Sequence, residues 1–365
     1  MKIWKMNLTN WALKILSVIM KVKVQKGTLP DPYRQFKSVI VYSTTALGDF
    51  MFNTPTMRAL RNRYPDAKIT LIAGTVNFSM VKKCKIFDDV IIWDCKFKNI
   101  IKALLKIKKA RPELAVILHS HEPYDIITAV LSGSEFILTY NSRLPKGINS
   151  WVIYKPEVKK HAIKKRLDLM TFLGGDCTNV EMEIPCCFNK INVDHTRTRI
   201  GFNMGASNKN RYWPLGNYIS LANKLISGHE DIDIILIGSS SDKELESVFL
   251  SNMPPSVINQ RVISHIGRTD LPELISVIDS LDILLTGDTG PLHLAIALKV
   301  PTVSMFVTAN PKYTGPYQDP EKHIIINYYE NYINDCYDPL SPLSIITVET
   351  VYNAISEIGL LCPNG

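Results

Sequence analysis

The feature that most constrains this chain is a rhythm that runs twice. Short apolar, β-branched runs alternate with helical segments, the alternation stops near residue 185, and then it begins again. Such alternation builds a parallel sheet with helices on both faces, because each crossover between parallel strands is long enough to hold a helix. In the first series, strands are expected at 38–42, 68–73, 90–93, 114–118 and, as a weaker signal, 136–138. Thr54-Pro55 looks like an N-cap with Pro at the first helical position, opening a helix that runs to about Arg63. A helix over 167–173 stops at Gly174-Gly175, and the stretch 180–194 is irregular. Strands at 199–203, 233–238, 281–286 and 302–306 then interleave with helices at 215–226, 271–279 and 291–298, before a last helix at 347–358. The reading is α/β, with two doubly wound halves and a central cleft. Its boundaries are an extension and linker over 1–37, a first domain over 38–185, a second over 186–346, and a C-terminal segment over 347–365. A length of 365 residues suits two domains of ordinary size.

Charge is unevenly spread along this frame. The formal net charge is +8, yet residues 1–37 alone carry eight Lys or Arg against the single acid Asp31. The segment 96–111 carries seven cations and no acid, and Lys98, Lys102, Lys106 and Lys109 recur at helical spacing. That stripe is either a solvated face or an attractor for an anionic partner, a membrane surface or a phosphorylated substrate. The apolar run 11–20 is too short to span a bilayer, and no small-residue cleavage site follows it. On a helix, Trp4, Leu8, Trp11, Ile15 and Ile19 form one stripe, so residues 1–27 either lie in a membrane interface or pack on their own domain. Thr28-Leu29-Pro30-Asp31-Pro32 reads as a stiff linker. Seven scattered cysteines with no Cys-x-x-Cys pair point to reduced thiols in a cytosolic protein.

In open parallel sheets, ligands bind beyond the carboxyl ends of the strands. The turn Gly287-Asp288-Thr289-Gly290-Pro291-Leu292-His293 follows a buried strand and opens a helix. Free N–H groups and the positive end of the helix dipole make an anion site there, and Gly287 and Gly290 let a ligand approach the backbone. The same residues also suit a plain βα turn in which Asp288 or Thr289 only caps the helix. After strand 199–203 stand Ser207, Lys209 and Arg211, which form either a hydroxyl and two cations for a diphosphate or an exposed basic loop. The Gly-Lys-Ser/Thr ending of a Walker A loop is missing. After the first strand come Thr44, Thr45 and Asp49, the last a capping acid or a general base. The dinucleotide Gly-x-Gly-x-x-Gly is not there, which disfavours a nicotinamide enzyme. His119, His121 and Glu122 follow another strand, and with no further ligands nearby they suit acceptor contacts better than a metal. Asp231-Ile232-Asp233 leads into a strand rather than out of one and is read as chance.

Thr44-Thr45-Ala46-Leu47-Gly48-Asp49, Asn53-Thr54-Pro55 and Arg58-Ala59-Leu60 resemble the opening of the family-9 glycosyltransferases, the bacterial lipopolysaccharide heptosyltransferases. Asp288-Thr289-Gly290-Pro291-Leu292-His293-Leu294-Ala295 and Thr314-Gly315-Pro316-Tyr317 resemble their donor-site signature, and the likeness runs in order from about Ser38 to Ile358. The resemblance implies a GT-B architecture of two facing Rossmann-like domains. The first would take the acceptor, the second the nucleotide-diphosphate sugar, and the last helix would cross back to the first domain. It implies an inverting transfer of heptose from ADP-heptose onto a lipopolysaccharide or lipooligosaccharide core, with no metal and no cofactor. Carried over, Asp49 is the base that takes the acceptor proton. Ser207, Arg211 and the backbone at Thr289 and Gly290 hold the diphosphate, with Lys209 and Gly238 beside them. Asp288 and His293 contact the donor sugar or its phosphates, and Thr44, Thr45, His119, His121 and Glu122 face the acceptor.

The implied partners are therefore a nucleotide-diphosphate sugar and a lipid-linked anionic saccharide, with inner-leaflet contact through residues 1–27 and no nucleic acid. The expected location is the cytoplasm, peripheral on the inner membrane. Three departures stand out: Arg211 where members often carry Lys, Ser239-Ser240-Ser241 where an acid often follows the strand, and the basic extension before Ser38. The competing readings are a family member using another nucleotide-diphosphate sugar, a GT-B-like sugar-nucleotide epimerase, and a nucleotide-binding membrane scaffold. An epimerase needs an acid–base pair beside the sugar that the sequence does not identify. Intact Asp49 and His293 argue against the scaffold.

Overall fold

The computed structural model describes residues 3–82, 84–94, 96–140, 149–154, 159–193, 196–334 and 341–359. The chain divides into two compact units, Met1–Cys186 and Cys187–Gly365. The first holds α1 (Ile3–Ile19), β1 (Ser38–Ser43), α2 (Leu47–Arg63), β2 (Lys68–Ala73), α3 (Phe78–Val81) and β3 (Asp89–Ile92). It continues with α4 (Ile100–Lys109), β4 (Leu114–His119), α5 (Tyr124–Ser132), β5 (Phe136–Thr139), β6 (Ile153–Tyr154) and α6 (Ala162–Leu167). The second holds β7 (Thr198–Asn203), α7 (Leu215–Gly228), β8 (Ile232–Ile237), α8 (Lys243–Ser251), β9 (Val262–Ser264) and α9 (Leu271–Asp279). After these come β10 (Ile283–Gly287), α10 (Gly290–Ala297), β11 (Thr302–Phe306), α11 (Pro311–Thr314), β12 (His323–Asn327), α12 (Tyr329–Asn334) and α13 (Val348–Glu357).

Each unit is built on a six-stranded sheet, ordered β3-β2-β1-β4-β5-β6 in the first and β12-β11-β10-β7-β8-β9 in the second. Every named pairing is parallel. Strands covered on both faces must be apolar throughout, which is why β1, β4 and β8 read as continuous hydrophobic runs. Ile40, Tyr42, Ile72, Ala115 and Ile137 point to one face of the first sheet, where they share a core with Leu13 of α1, Ala103 and Ile107 of α4, and Ala129 of α5. Helices α2 and α6 pack together, with α2 against β1 and β4. In the second unit, residues of α7, α8 and α13 close over Ile200, Phe202, Ile234, Leu236 and Val303.

Three expectations change. Helix α2 begins at Leu47, not at Thr54, and Pro55 lies in its interior. A proline inside a helix removes the N–H that would bond the carbonyl four residues back, here that of Met51. The Thr54 hydroxyl donates to that carbonyl at 2.8 Å. Thr54-Pro55 is thus a local repair within a helix, and Asp49 stands on its first turn rather than in a loop.

The segment after α1, expected as a stiff linker, is docked on the first unit. The Gln25 amide donates to the Glu135 carbonyl at 2.7 Å, and an Arg63 guanidinium N–H donates to the Pro32 carbonyl at 2.7 Å. Arg34 pairs with Glu135, and the Lys26 ammonium sits 3.5 Å over the Trp151 ring. Helix α1 buries Leu13 and Ser17 while leaving Trp11, Ile15, Val18 and Ile19 exposed. The side chains of Trp4 and Leu8, also assigned to that stripe, lie outside the described residues.

The last helix packs on the second unit: Val351, Ala354 and Ile355, on an apolar face of α13, are buried in its core. Among the described residues, no helix is long and apolar enough to cross a membrane.

Candidate functional site

Both sheets reverse direction of winding once, between β1 and β4 and between β7 and β10. At such a point the two adjacent crossover connections go to opposite faces and leave a crevice at the carboxyl edge. Thr44–Asp49 and His119–Glu122 follow the first pair of strands, and Asn203–Arg211 and Gly287–His293 follow the second. Asp233 sits at the start of β8, the opposite edge, where it pairs with Arg197 at 3.2 Å.

In the first unit the loops are pinned before any ligand arrives. The Thr44 amide donates to the His119 carbonyl at 3.0 Å, and its hydroxyl meets that of Ser120 at 2.9 Å. Thr44 is buried, so it joins the two strand ends. A Cβ on Gly74 would lie 2.4 Å from the Thr44 carbonyl oxygen, so only glycine lets the β2 loop close against this turn. The Thr45 hydroxyl and His119 Nδ1 are hydrogen-bonded. His121 and Glu122 are exposed beside them.

Asp49 is the centre of this group. Its Oδ1 accepts from Arg166 Nη2 at 3.0 Å, and its Oδ2 is 3.6 Å from His119 Nδ1. The Arg166 side chain is only 4 % exposed, against 32 % for Asp49. The guanidinium lies between two rings, 5.4 Å from that of Phe52 and 5.2 Å from that of Tyr140. The Tyr140 ring stacks on His119 at 6.2 Å and 15°. Burial pushes the His119 imidazole down to about 4; Asp49 opposes this, while the Arg166 and His121 charges add to it. His119 is therefore neutral near pH 7, and its approach to Asp49 is that of a dipole, not a cation. Burial likewise raises the Tyr140 phenol, which stays protonated. The arrangement is a carboxylate held at one oxygen by Arg166 and approached at the other by His119, on the first turn of a helix whose dipole also attracts negative charge.

In the second unit, Asn203 organises the turn. Its side-chain amide donates to the hydroxyls of Thr286 at 2.8 Å and Thr289 at 2.9 Å, and its carbonyl accepts from Tyr218 at 3.0 Å. Thr289 is the N-cap of α10 but makes no side-chain cap bond, since its hydroxyl is held by Asn203 and Thr286. Asp288 does not cap either: one of its oxygens is 3.5 Å from Arg211 and the other 3.8 Å from His293. The first-turn N–H groups beginning at Gly290 are thus left without a side-chain acceptor from the cap, the condition for an anion site. Arg211 Nη1 also donates to the Asp288 carbonyl at 2.8 Å, which sets a half-exposed cation beside that turn. Ser207 is exposed in the same loop, whereas the Lys209 side chain lies outside the described residues. His293 is 2 % exposed and faces Asp288, so it braces the carboxylate from below.

Gly238, at the end of β8, packs closely on an acidic side chain. Four positions after Gly238 stands Asp242, whose Oδ2 accepts from both the Ser239 amide and hydroxyl at 2.8 Å. A Cβ on Gly238 would sit 3.0 Å from that oxygen, and one on Gly205 would sit 2.5 Å from the same carboxylate. The two glycines let β8 and the β7 loop close around Asp242.

Asp242 was legible as a Ser-x-x-Asp capping box. Asn203 ends a strand at the edge that the topology rule selects. Arg166 had no signal: Lys164-Lys165-Arg166 reads as a solvated basic run, and its partner is distant in sequence.

Comparisons with known proteins bear on the family and the fold. Glycosyltransferase family 9 (heptosyltransferase) matches residues 139–338. The lipopolysaccharide core heptosyltransferase OpsX of Haemophilus influenzae is 21 % identical over 337 residues, covering 88 % of this chain and 93 % of that protein. The family 9 glycosyl transferase of Veillonella parvula shares the fold with a TM-score of 0.73 at 21 % identity, over 89 % of this chain and 97 % of that one. The ADP-heptose lps heptosyltransferase II of E. coli does so at 0.70 and 19 % identity, over 88 % and 98 %. Twin parallel sheets, each with its own switch point, together with these likenesses give the GT-B fold. Within that fold class, the chain belongs to glycosyltransferase family 9, the heptosyltransferase family.

Proposed function

We propose that the chain transfers heptose from ADP-heptose to a hydroxyl of a lipopolysaccharide or lipooligosaccharide core, with inversion and without a metal ion, at the cytoplasmic face of the inner membrane. The observation that carries this reading is the part-exposed Asp49 carboxylate, held on Oδ1 by buried Arg166 with Oδ2 3.6 Å from His119. The acceptor hydroxyl gives its proton to Oδ2 as its oxygen bonds to the anomeric carbon. The bond from that carbon to the diphosphate oxygen breaks in the same displacement, and its electron pair leaves with ADP. Arg211 and the N–H groups at the start of α10 meet the charge that gathers on the leaving diphosphate, the part a metal would otherwise play. The names of the relatives support the substrates: OpsX is a lipopolysaccharide core enzyme, and the E. coli protein is named for ADP-heptose.

Asp49→Asn keeps the shape and removes the base. Turnover of ADP-heptose on heptose-deficient lipopolysaccharide is expected to fall ~10²–10⁴-fold, with ADP affinity unchanged in calorimetry. Near-wild-type turnover by the variant overturns the assignment of the base. Activity abolished by EDTA and restored by Mg²⁺ overturns metal independence, and preference for a uridine-linked sugar overturns the donor.

A further inference from the structure

Helices α1 and α4 both pack against α5, and Leu13, Ala103, Ile107 and Ala129 join one core, so the two helices lie in one layer on the same face of the first sheet. Each turns an apolar strip outward. On α1, Trp11 is 62 % exposed, Val18 77 % and Ile19 69 %; Phe97 just before α4 is 72 % exposed, and Ile101 and Leu105 on it are 72 % and 65 %. The charged residues interleaved with them have one sign: Lys14, Lys21 and Lys23 beside the first strip, and Lys98, Lys102, Lys106 and Lys109 beside the second. No acid occurs in residues 1–30 or 96–112. Beside α4 lies a groove of about 400 Å³ lined by Trp93, Asp94, Lys96, Lys98, Lys102 and Lys106. The Asp94 carboxylate accepts from the amide and hydroxyl of Thr75, so it is tied to its own loop.

From this juxtaposition we infer that the α1–α4 face docks the protein on an anionic lipid bilayer, with lipid phosphates in the lysine groove and the apolar strips at the level of the upper acyl chains. A second copy of the chain is a poor occupant, because a two-fold contact through this face sets lysines against lysines. An uncharged apolar partner would leave seven cations uncompensated. An anionic membrane surface answers both the exposed apolar area and the single-sign charge. The inference rests on the part of the proposed function that places the chain at the inner membrane, and vesicle binding tests it separately from turnover.

The test uses the full-length protein and co-sedimentation with vesicles of phosphatidylcholine alone, or of phosphatidylcholine with about 30 % phosphatidylglycerol. Binding is expected only to the anionic vesicles and to weaken as salt rises from about 0.1 M to about 1 M, which cuts the Debye length from ~10 Å to ~3 Å. A lysine near an anionic surface contributes about fivefold, so Lys98→Gln with Lys102→Gln and Lys106→Gln lowers partitioning about a hundredfold. Trp11→Gln with Ile19→Gln, on the other helix, lowers it about tenfold or more at either salt. Equal binding to neutral and anionic vesicles overturns the inference, as does wild-type partitioning by both variants. Wild-type dimerisation in sedimentation velocity that the variants abolish also overturns it, by making the face a contact between copies.

Discussion

Arg166 acts on Asp49 through shape as much as charge. Its planar guanidinium lies between the Phe52 and Tyr140 rings and presents one N–H to the carboxylate at 3.0 Å. Lysine keeps the charge, but as a point on a flexible stem it neither lies between two rings nor fixes a direction. Arg166→Lys should therefore lower kcat about tenfold or more while the donor KM stays within about twofold, as expected when a positioned group loosens. Steady-state kinetics with wild-type kcat would remove Arg166 from the positioning of Asp49. Asp125 is the opposite case, a carboxyl that the fold burdens. It is buried on the first turn of α5; Oδ1 accepts from the Ile126 amide at 2.7 Å, and Oδ2 has no hydrogen-bond partner among the described residues. Burial pushes it from 3.8 up to about 7, outweighing the Ile126 N–H, with the Glu122 charge adding to the rise. Below pH 3.8 the group is protonated in both states; above that the folded chain holds a proton that the unfolded chain has released. Its contribution is thus lost as pH rises through 7. Asp125→Asn, neutral at every pH, should gain nothing near pH 4 and stabilise by about 1–4 kcal/mol at pH 8. Urea midpoints across that range measure it, and a flat difference would contradict the assignment.

Helix α2 shows what an element can hide in its sequence. The strands were legible because a strand buried on both faces can only be apolar, and helix α9 because its period and its Asp270 cap agreed. Thr54-Pro55 misled because the same dipeptide suits a helix start and a repaired helix interior, and the difference is whether the Met51 carbonyl has another donor. Arg166 was illegible for a related reason: a charged residue on a short basic helix shows nothing of the two rings that bury it. The edge strands β6 and β9 are too short to carry a period. The repair itself can be tested. Thr54→Val removes the hydroxyl that serves the Met51 carbonyl and accepts from the Glu183 amide at 3.2 Å. It should destabilise by about 1–3 kcal/mol, the usual cost of buried groups left without partners. Adding Pro55→Ala supplies a backbone N–H to that carbonyl, so the double variant should recover the larger part in equilibrium unfolding. Additive losses would show that the Thr54 hydroxyl does not stand in for the missing amide.

At the scale of the molecule, both sheets share one strand order, so the repeat heard in the sequence is a repeat of topology, and each copy places its candidate residues at its own switch point. The fate of the last helix was not legible from that repeat, because an amphipathic helix after a long loop fits either unit. The structure builds α13 into the second core. Val351 and Ile355 are fully buried there, Tyr352 meets His229 at 3.2 Å, and the Trp213 indole donates to the Ile346 carbonyl at 2.8 Å. Trp213 stacks edge-on against Tyr218, whose hydroxyl holds the Asn203 carbonyl, so the end of the chain supports the turn that Asn203 organises. A fragment of residues 187–365 should then unfold cooperatively and bind ADP, whereas 187–346 should not fold. Deleting a buried aliphatic side chain costs about 2–5 kcal/mol, and loss of three approaches the ~5–15 kcal/mol that holds a domain together. Denaturant titration and calorimetry on the two fragments decide the point. Folding of 187–346 with the stability of the longer fragment would mean that α13 is dispensable to the second core, and the reading in which it crosses to the first unit would regain its footing.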